Sequence, residues 1–272
     1  MNYRRALLIV VLLVPAIVYC QLPLTRDSVE NLLVRSPAFT IFNDNYFITG
    51  IPLNEAPTRY NSDVRFQLSF KQRLMDKPVW LGFYAYLGYT QKSFWDIYLQ
   101  SRPFAETNYN PGMFFIKPFY KNGYLNGSIC ISFEHESNGR TEENGSKSWN
   151  YVAANYSHAV FHNFMASVKV WIPFGLSDNP DLMDYIGYGE VSGQWSMIEN
   201  RLTAGIAVRK GAVWDWKGSV LADIKYKPFK SRNQYLMLQW SEGYAESLID
   251  YREKHSMLRI GLVLRPTVYR FY

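Results

Sequence analysis

The chain has 272 residues, 48% of them hydrophobic and 17% aromatic, with a formal net charge of +6. That length allows one large β domain or two smaller ones, and the mild charge, with no basic block interleaved with aromatics, weighs against nucleic-acid binding. Beyond the first twenty positions no apolar run approaches twenty residues, so membrane residence would require a barrel rather than helices.

Residues 1–20 read as a signal peptide. Arg4 and Arg5 form a positive n-region and residues 6–18 an apolar stretch of the right length. Val18 and Cys20 fit the −3 and −1 positions of a cleavage before Gln21. Acylation of Cys20 is the alternative, disfavoured by the bulky Tyr19 beside it. Cleavage leaves Cys130 as the sole cysteine, so the fold needs no disulfide, and lowers the charge to +4 by removing two arginines. Residues 21–62 are less regular and read as a periplasmic segment, a plug or a first strand.

From Asp63 to Tyr272 the chain alternates, and one domain is the economical reading. Val64, Phe66, Leu68 and Phe70 share a face, with Arg65, Gln67, Ser69 and Lys71 opposite. Val79, Leu81, Phe83, Ala85 and Leu87 form the next apolar face. Later, Phe164, Ala166, Val168, Val170 and Ile172 oppose Met165, Ser167, Lys169 and Trp171, and Leu258, Ile260, Leu262 and Leu264 oppose Arg259, Gly261 and Arg265. Segments of about ten residues suit tilted membrane strands. Turn signals separate them: Asp76-Lys77-Pro78, Lys121-Asn122-Gly123, Ser177-Asp178-Asn179-Pro180 and Ser231-Arg232-Asn233. The chain ends on Phe271-Tyr272, an aromatic terminus. A soluble sandwich or lipocalin-like barrel would also alternate, but it would have to bury the Arg, Lys and Glu of the polar face. The expected fold is therefore all-β: a single transmembrane antiparallel barrel with a polar lumen.

One strand carries chemistry at its end. Ile129, Ile131, Phe133, His135 and Ser137 fall on one face by period-2 geometry, which is the apolar face. A base and a hydroxyl thus point where lipid would be. A serine becomes a nucleophile when a neighbouring base takes its proton and a third group fixes the imidazole tautomer. Asn150 begins another alternating run, with Val152 and Ala154, and returns beside His135 after a loop. Gly139 is placed to present a backbone N–H to an oxyanion. A His-x-Ser pair alone is a weak signal; the lipid-facing parity and the asparagine strengthen it. His158, His162 and His255 have no such setting.

The run His135-Glu136-Ser137-Asn138-Gly139-Arg140, followed by Ser146-Lys147-Ser148-Trp149-Asn150, resembles the active-site motif of the bacterial outer-membrane phospholipase A family. Further similar segments occur in order: residues 64–69, 89–93, 103–109, 178–181 and 243–251. The resemblance implies a twelve-stranded barrel with a triad on its outer face, Ser137 as nucleophile, His135 as base and Asn150 orienting it, with Gly139 as the oxyanion amide. It also implies Ca²⁺ held by the Arg140 carbonyl, the Ser146 hydroxyl and the Ser101 carbonyl of a second subunit, and a dimer interface that buries Gln91. Two departures stand out. The 140–150 loop is one residue longer than the family pattern, with Glu142 and Glu143 in it as extra metal ligands or solvated side chains. The 91–101 stretch is shorter, which bears on Ser101.

The expected activity is calcium-dependent hydrolysis of glycerophospholipid acyl esters, of A1/A2 and lysophospholipase type, by a reversible homodimer in the bacterial outer membrane. The alternative is a non-catalytic pore or structural barrel on the same scaffold.

Overall fold

Alternation becomes strand wherever both faces find a partner. The computed structural model describes residues 24–229 and 233–266. The leader and its cleavage site, Ser231 and Arg232 of one turn signal, and the Phe271-Tyr272 terminus lie outside the described residues.

A helix, α1 (Arg26–Arg35), precedes thirteen strands: β1 (Phe39–Ile41), β2 (Asn45–Pro52), β3 (Asp63–Arg73), β4 (Tyr84–Trp95), β5 (Phe104–Lys121), β6 (Tyr124–Ser137), β7 (Ser148–Phe161), β8 (Phe164–Phe174), β9 (Gly189–Ile198), β10 (Leu202–Lys210), β11 (Gly218–Tyr226), β12 (Gln234–Gly243) and β13 (His255–Leu264). A short helix, α2 (Leu182–Ile186), sits between β8 and β9. Both β1 and β2 pair with the same side of β3, so they act as one strand interrupted at residues 42–44. Each strand pairs antiparallel with its chain neighbour, and β13 returns to β2, closing a barrel of twelve strands. Closure leaves no unpaired edge, the condition for a sheet to cross a bilayer.

The two ends differ. At one, some strands are joined by two-residue turns such as Asn122-Gly123, with φ of 50° and 82°. At the other stand longer loops, including 53–62, 138–147, 175–188 and 244–254.

The outer wall is apolar and exposed: Leu68, Phe133, Val170, Ile172, Ile206, Ile260 and Leu262 all face outward. Their inward neighbours are charged and paired. Arg259 donates to Asp63 at 2.9 and 2.7 Å and to Glu246 at 2.7 Å, and Arg65 meets Glu246 at 2.6 Å. Lys225 lies between Asp44, at 3.1 Å, and Asp223, at 2.6 Å. Charges so buried persist because each has an opposite partner. Toward the short-turn end the lumen turns apolar. There Val29 and Leu33 of α1 pack with Tyr84, Tyr86, Phe114, Ile116 and Leu125. Thr25 caps this helix by accepting from the Ser28 N–H.

One expected strand starts late. Val79 and Leu81 belong to a hairpin turn, in which Leu81 and Gly82 have φ of 50° and 81° and the Phe83 N–H bonds to the Trp80 carbonyl. Consecutive positive φ values are the signature of the tight hairpin turn that matches strand twist, so an apolar alternation here ends in a turn.

Candidate active site

The loop between β6 and β7 is built on Asn138, a buried side chain. Its amide donates to the Gly145 carbonyl at 3.0 Å, and its oxygen accepts from the N–H groups of Lys147, at 3.0 Å, and Arg140, at 3.3 Å. This clasp returns the chain so that His135 stands opposite Asn150 and Ser137 opposite Ser148.

The imidazole Nδ1 of His135 lies 2.9 Å from Oδ1 of Asn150. An amide oxygen only accepts, so Nδ1 donates and the Nε2 lone pair is left free. Ser137 follows two residues on, half-buried on the same outward face. Across the wall a row runs Leu68, Gln91, Tyr109, Ser137, Ser148, each paired with the next. Gln91 is thus two strands from Ser137, about 10 Å at ordinary strand spacing. Its amide accepts from the Tyr89 hydroxyl at 3.0 Å and donates to Ser93 Oγ at 3.2 Å. Gly139 has φ of 66°, and a Cβ there would come within 2.9 Å of the Tyr109 ring. Both the left-handed backbone and the close Tyr109 ring thus call for glycine.

Behind the loop lies a cluster of hard oxygens. The hydroxyls of Ser146 and Ser148 each donate to one carboxylate oxygen of Asp178 at 3.1 Å. Lys147 Nζ donates to the Asp178 carbonyl at 2.8 Å, and Asn179 accepts from the Ser148 N–H at 3.1 Å. The Arg140 guanidinium turns away and donates to the Ala105 carbonyl. Ser101 stands exposed in the turn between β4 and β5, on a different loop from Arg140 and Ser146. Glu142 and Glu143 are exposed on a one-turn 3-10 helix.

On the lumen side, directly behind His135, Glu134 accepts from Ser132 at 2.7 Å, Tyr151 at 2.8 Å and Lys169 at 2.9 Å. On the outer side a depression is lined by Leu87, Pro111, Phe133, His135, Asn150 and Phe174. A base and its orienting amide therefore border an apolar hollow wide open to the exterior.

Two loops brace this end. Arg252 donates to Asp181 at 2.9 and 2.7 Å, and those bonds, with one from Tyr251, hold the Asp181 carboxyl down to about 2. Glu106 and Asn108 of β5 accept from the backbone N–H groups of Ile249 and Leu248. The similar segments 103–109 and 243–251 thus hold each other.

Two contacts are not legible in the sequence. Asp178 lies in a turn and in the family-like segment 178–181, but nothing in its spacing of 32 from Ser146 announces their contact. Tyr109 lies in the family-like segment 103–109, but its place opposite Ser137 follows only from register.

Residues 40–264 match the family model described as phospholipase A1. The chain belongs to the phospholipase A1 family. The phospholipase A1 of Salmonella typhimurium is 32% identical over 269 residues, covering 89% of this chain and 88% of that protein. Among solved structures, the Salmonella typhi outer membrane phospholipase dimer with bound calcium matches with a TM-score of 0.74 and 26% identity, over 86% of this chain and 96% of that one. An active-site mutant of the Escherichia coli outer membrane phospholipase A, with an asparagine replaced by alanine, matches with a TM-score of 0.74 and 25% identity, over 88% and 98% of the two chains. The family member described here is a phospholipase, and its closed barrel with an apolar exterior resides in the outer membrane.

Proposed function

We propose that this phospholipase hydrolyses the acyl esters of glycerophospholipids through a Ser137–His135–Asn150 triad, requires Ca²⁺, and is activated when two copies pair. The observation that carries the reading is the 2.9 Å contact between His135 and Asn150 on an outward, lipid-facing wall, with Ser137 beside it. A polar pair there has no folding purpose.

Ser137 attacks the ester carbonyl while Nε2 of His135 takes its proton. His135 then returns that proton to the departing alcohol, leaving the acyl group on Ser137. Water, deprotonated by the same imidazole, releases the fatty acid and regenerates the serine. Asn150 keeps the ring in the tautomer both steps need. The Gly139 N–H donates to the oxyanion.

For the metal, the Ser146 hydroxyl, the Asp178 carboxylate and the Arg140 carbonyl make a donor set of hard oxygens that fits Ca²⁺. The ion, when bound, supplies positive charge beside the oxyanion. The Ser101 carbonyl of a second copy is the fourth ligand in this reading, supported by its exposure on the loop that follows the Gln91 strand. Pairing through the β4 face is supported by the amide of Gln91, which has one partner at each end and capacity for another in a medium without water. The calcium-bound dimer from Salmonella typhi and the asparagine variant from Escherichia coli lend support by family membership. Cleavage at both acyl positions and of lysophospholipids belongs to the same proposal.

Against a conducting pore stand the Arg65–Glu246–Arg259–Asp63 pairs inside the lumen and α1 at its other end. Fatty-acid release from mixed micelles, with calcium or with chelator and alongside crosslinking, tests the proposal. Loss of release in Ser137→Ala with the folded barrel intact is expected. Undiminished turnover sinks the triad, and calcium-independent turnover by a strict monomer sinks the metal and dimer assignments.

A further inference from the structure

We propose that Asn110 is a positioning residue for His135, supplying from its side chain the ladder hydrogen bond that Pro111 removes; this rests on the triad reading above. The pairing of β5 with β6 runs from Tyr109↔Ser137 to Gly112↔Glu134 and skips the two positions between. By that register Pro111 stands opposite His135. Proline has no N–H, so the His135 carbonyl, facing β5, has no backbone donor there. Asn110 Nδ2 donates to this carbonyl at 2.9 Å.

The direction of that carbonyl matters for the triad. In an antiparallel sheet a residue's N–H and C=O point to the same side. With His135 turned toward β5, its pairing with Asn150 on β7 is of the non-hydrogen-bonded kind, in which side chains stand closest. That closeness is what the imidazole and carboxamide use. Asn110 is itself held from the lumen, where its amide lies 3.4 Å from the Tyr151 hydroxyl, which bonds to Glu134. Pro111 meanwhile gives apolar surface to the outer hollow. Asn110 touches neither the imidazole nor lipid and works only through the main chain of His135. A displacement of about 1 Å at such a distance from the reacting atoms can cost about a hundredfold in rate.

The test uses the full chain in mixed phospholipid–detergent micelles with calcium. Asn110→Asp keeps the shape but ionises to a group that only accepts. The expected result is a kcat lower by about 10- to 100-fold with KM within about twofold and the folded barrel's gel mobility unchanged. Pro111→Ala restores an N–H opposite His135, so in that background the loss caused by Asn110→Asp shrinks to about threefold. Should Asn110→Asp not fold, Asn110→Ala is compared in the same two backgrounds. An unchanged kcat, or an equal loss in both backgrounds, overturns the proposal. Ser137→Ala and His135→Ala run alongside. Activity in either removes the triad reading itself, whereas their inactivity beside an unaffected Asn110 variant removes only the role of Asn110.

Discussion

His135 and Asn150 stand opposite one another on β6 and β7, and their side chains meet at 2.9 Å on the lipid-facing side of the wall. Fourteen residues of chain lie between them, ten of which form the 138–147 loop, so the contact depends on how that loop closes. Replacing Asn150 by Ala leaves the imidazole free to rotate and to hold its proton on either nitrogen. We expect kcat to fall by about a hundredfold with KM nearly unchanged, read from steady-state fatty-acid release.

Gly175, the first residue of the loop after β8, guards the same contact. It has φ of 68°, and a Cβ would lie 2.8 Å from the Asn150 amide nitrogen. Gly175→Ala should therefore push the carboxamide out of line and lower kcat by about tenfold, with a stability cost of about 1 kcal/mol from the left-handed backbone. Thermal unfolding measured beside the kinetics separates the two effects.

The oxygen cluster is where the proposed calcium requirement can be tested. Ser146→Ala removes a hard donor and Asp178→Asn removes the negative charge, and the calcium needed for half-maximal release should rise by about tenfold or more in either variant. A calcium titration at saturating lipid reads this directly. Glu142→Gln, on the exposed 3-10 turn, should leave the titration in place.

Glu246 answers two buried arginines, Arg65 at 2.6 Å and Arg259 at 2.7 Å. Glu246→Gln leaves the buried Arg65 without an anion and Arg259 with Asp63 alone. Losses of about 3–5 kcal/mol are usual when one partner of a buried pair goes, so the barrel should unfold at markedly lower temperature. The heat-dependent shift in gel mobility follows it.

The Asp181–Arg252 contact predicts a pH response. Bonding to Arg252 holds the Asp181 carboxyl down to about 2 in the folded protein, against about 3.9 unfolded. A lowered carboxyl pKa contributes stability above the unfolded value and loses it as pH falls through the folded one. Protection factors in loops 175–188 and 244–254, taken against the intrinsic exchange rate at each pH, should fall between about pH 4 and pH 2, and Asp181→Asn should abolish that dependence while lowering protection at neutral pH.

Much of this molecule was legible in advance because strand geometry is local. Arg65 and Ser69 point inward and Leu68 and Phe70 outward, as period 2 demands, and the same parity put His135 and Ser137 on the exterior. The alternation misled at Val79 and Leu81, where positive φ values turn an apolar run into a hairpin. Backbone torsion at a turn is decided by the strands it must join, which hydrophobic pattern alone does not record.

By itself, then, the sequence determined the strands, their two faces, the outward aim of the histidine and serine, and the motif that places the chain in its family. Only the tertiary structure decided what lies beside that motif. Asp178 reaches Ser146 and Ser148 because β7 and β8 are adjacent and their loops fold together. Asn110 meets the His135 carbonyl because Pro111 interrupts one ladder at one position. Gly175 leaves space for Asn150 through the register of β7 with β8. Parity is a property of a single strand and can be read along it, whereas register is a relation between strands set by loops and packing, and it appears only when the barrel closes.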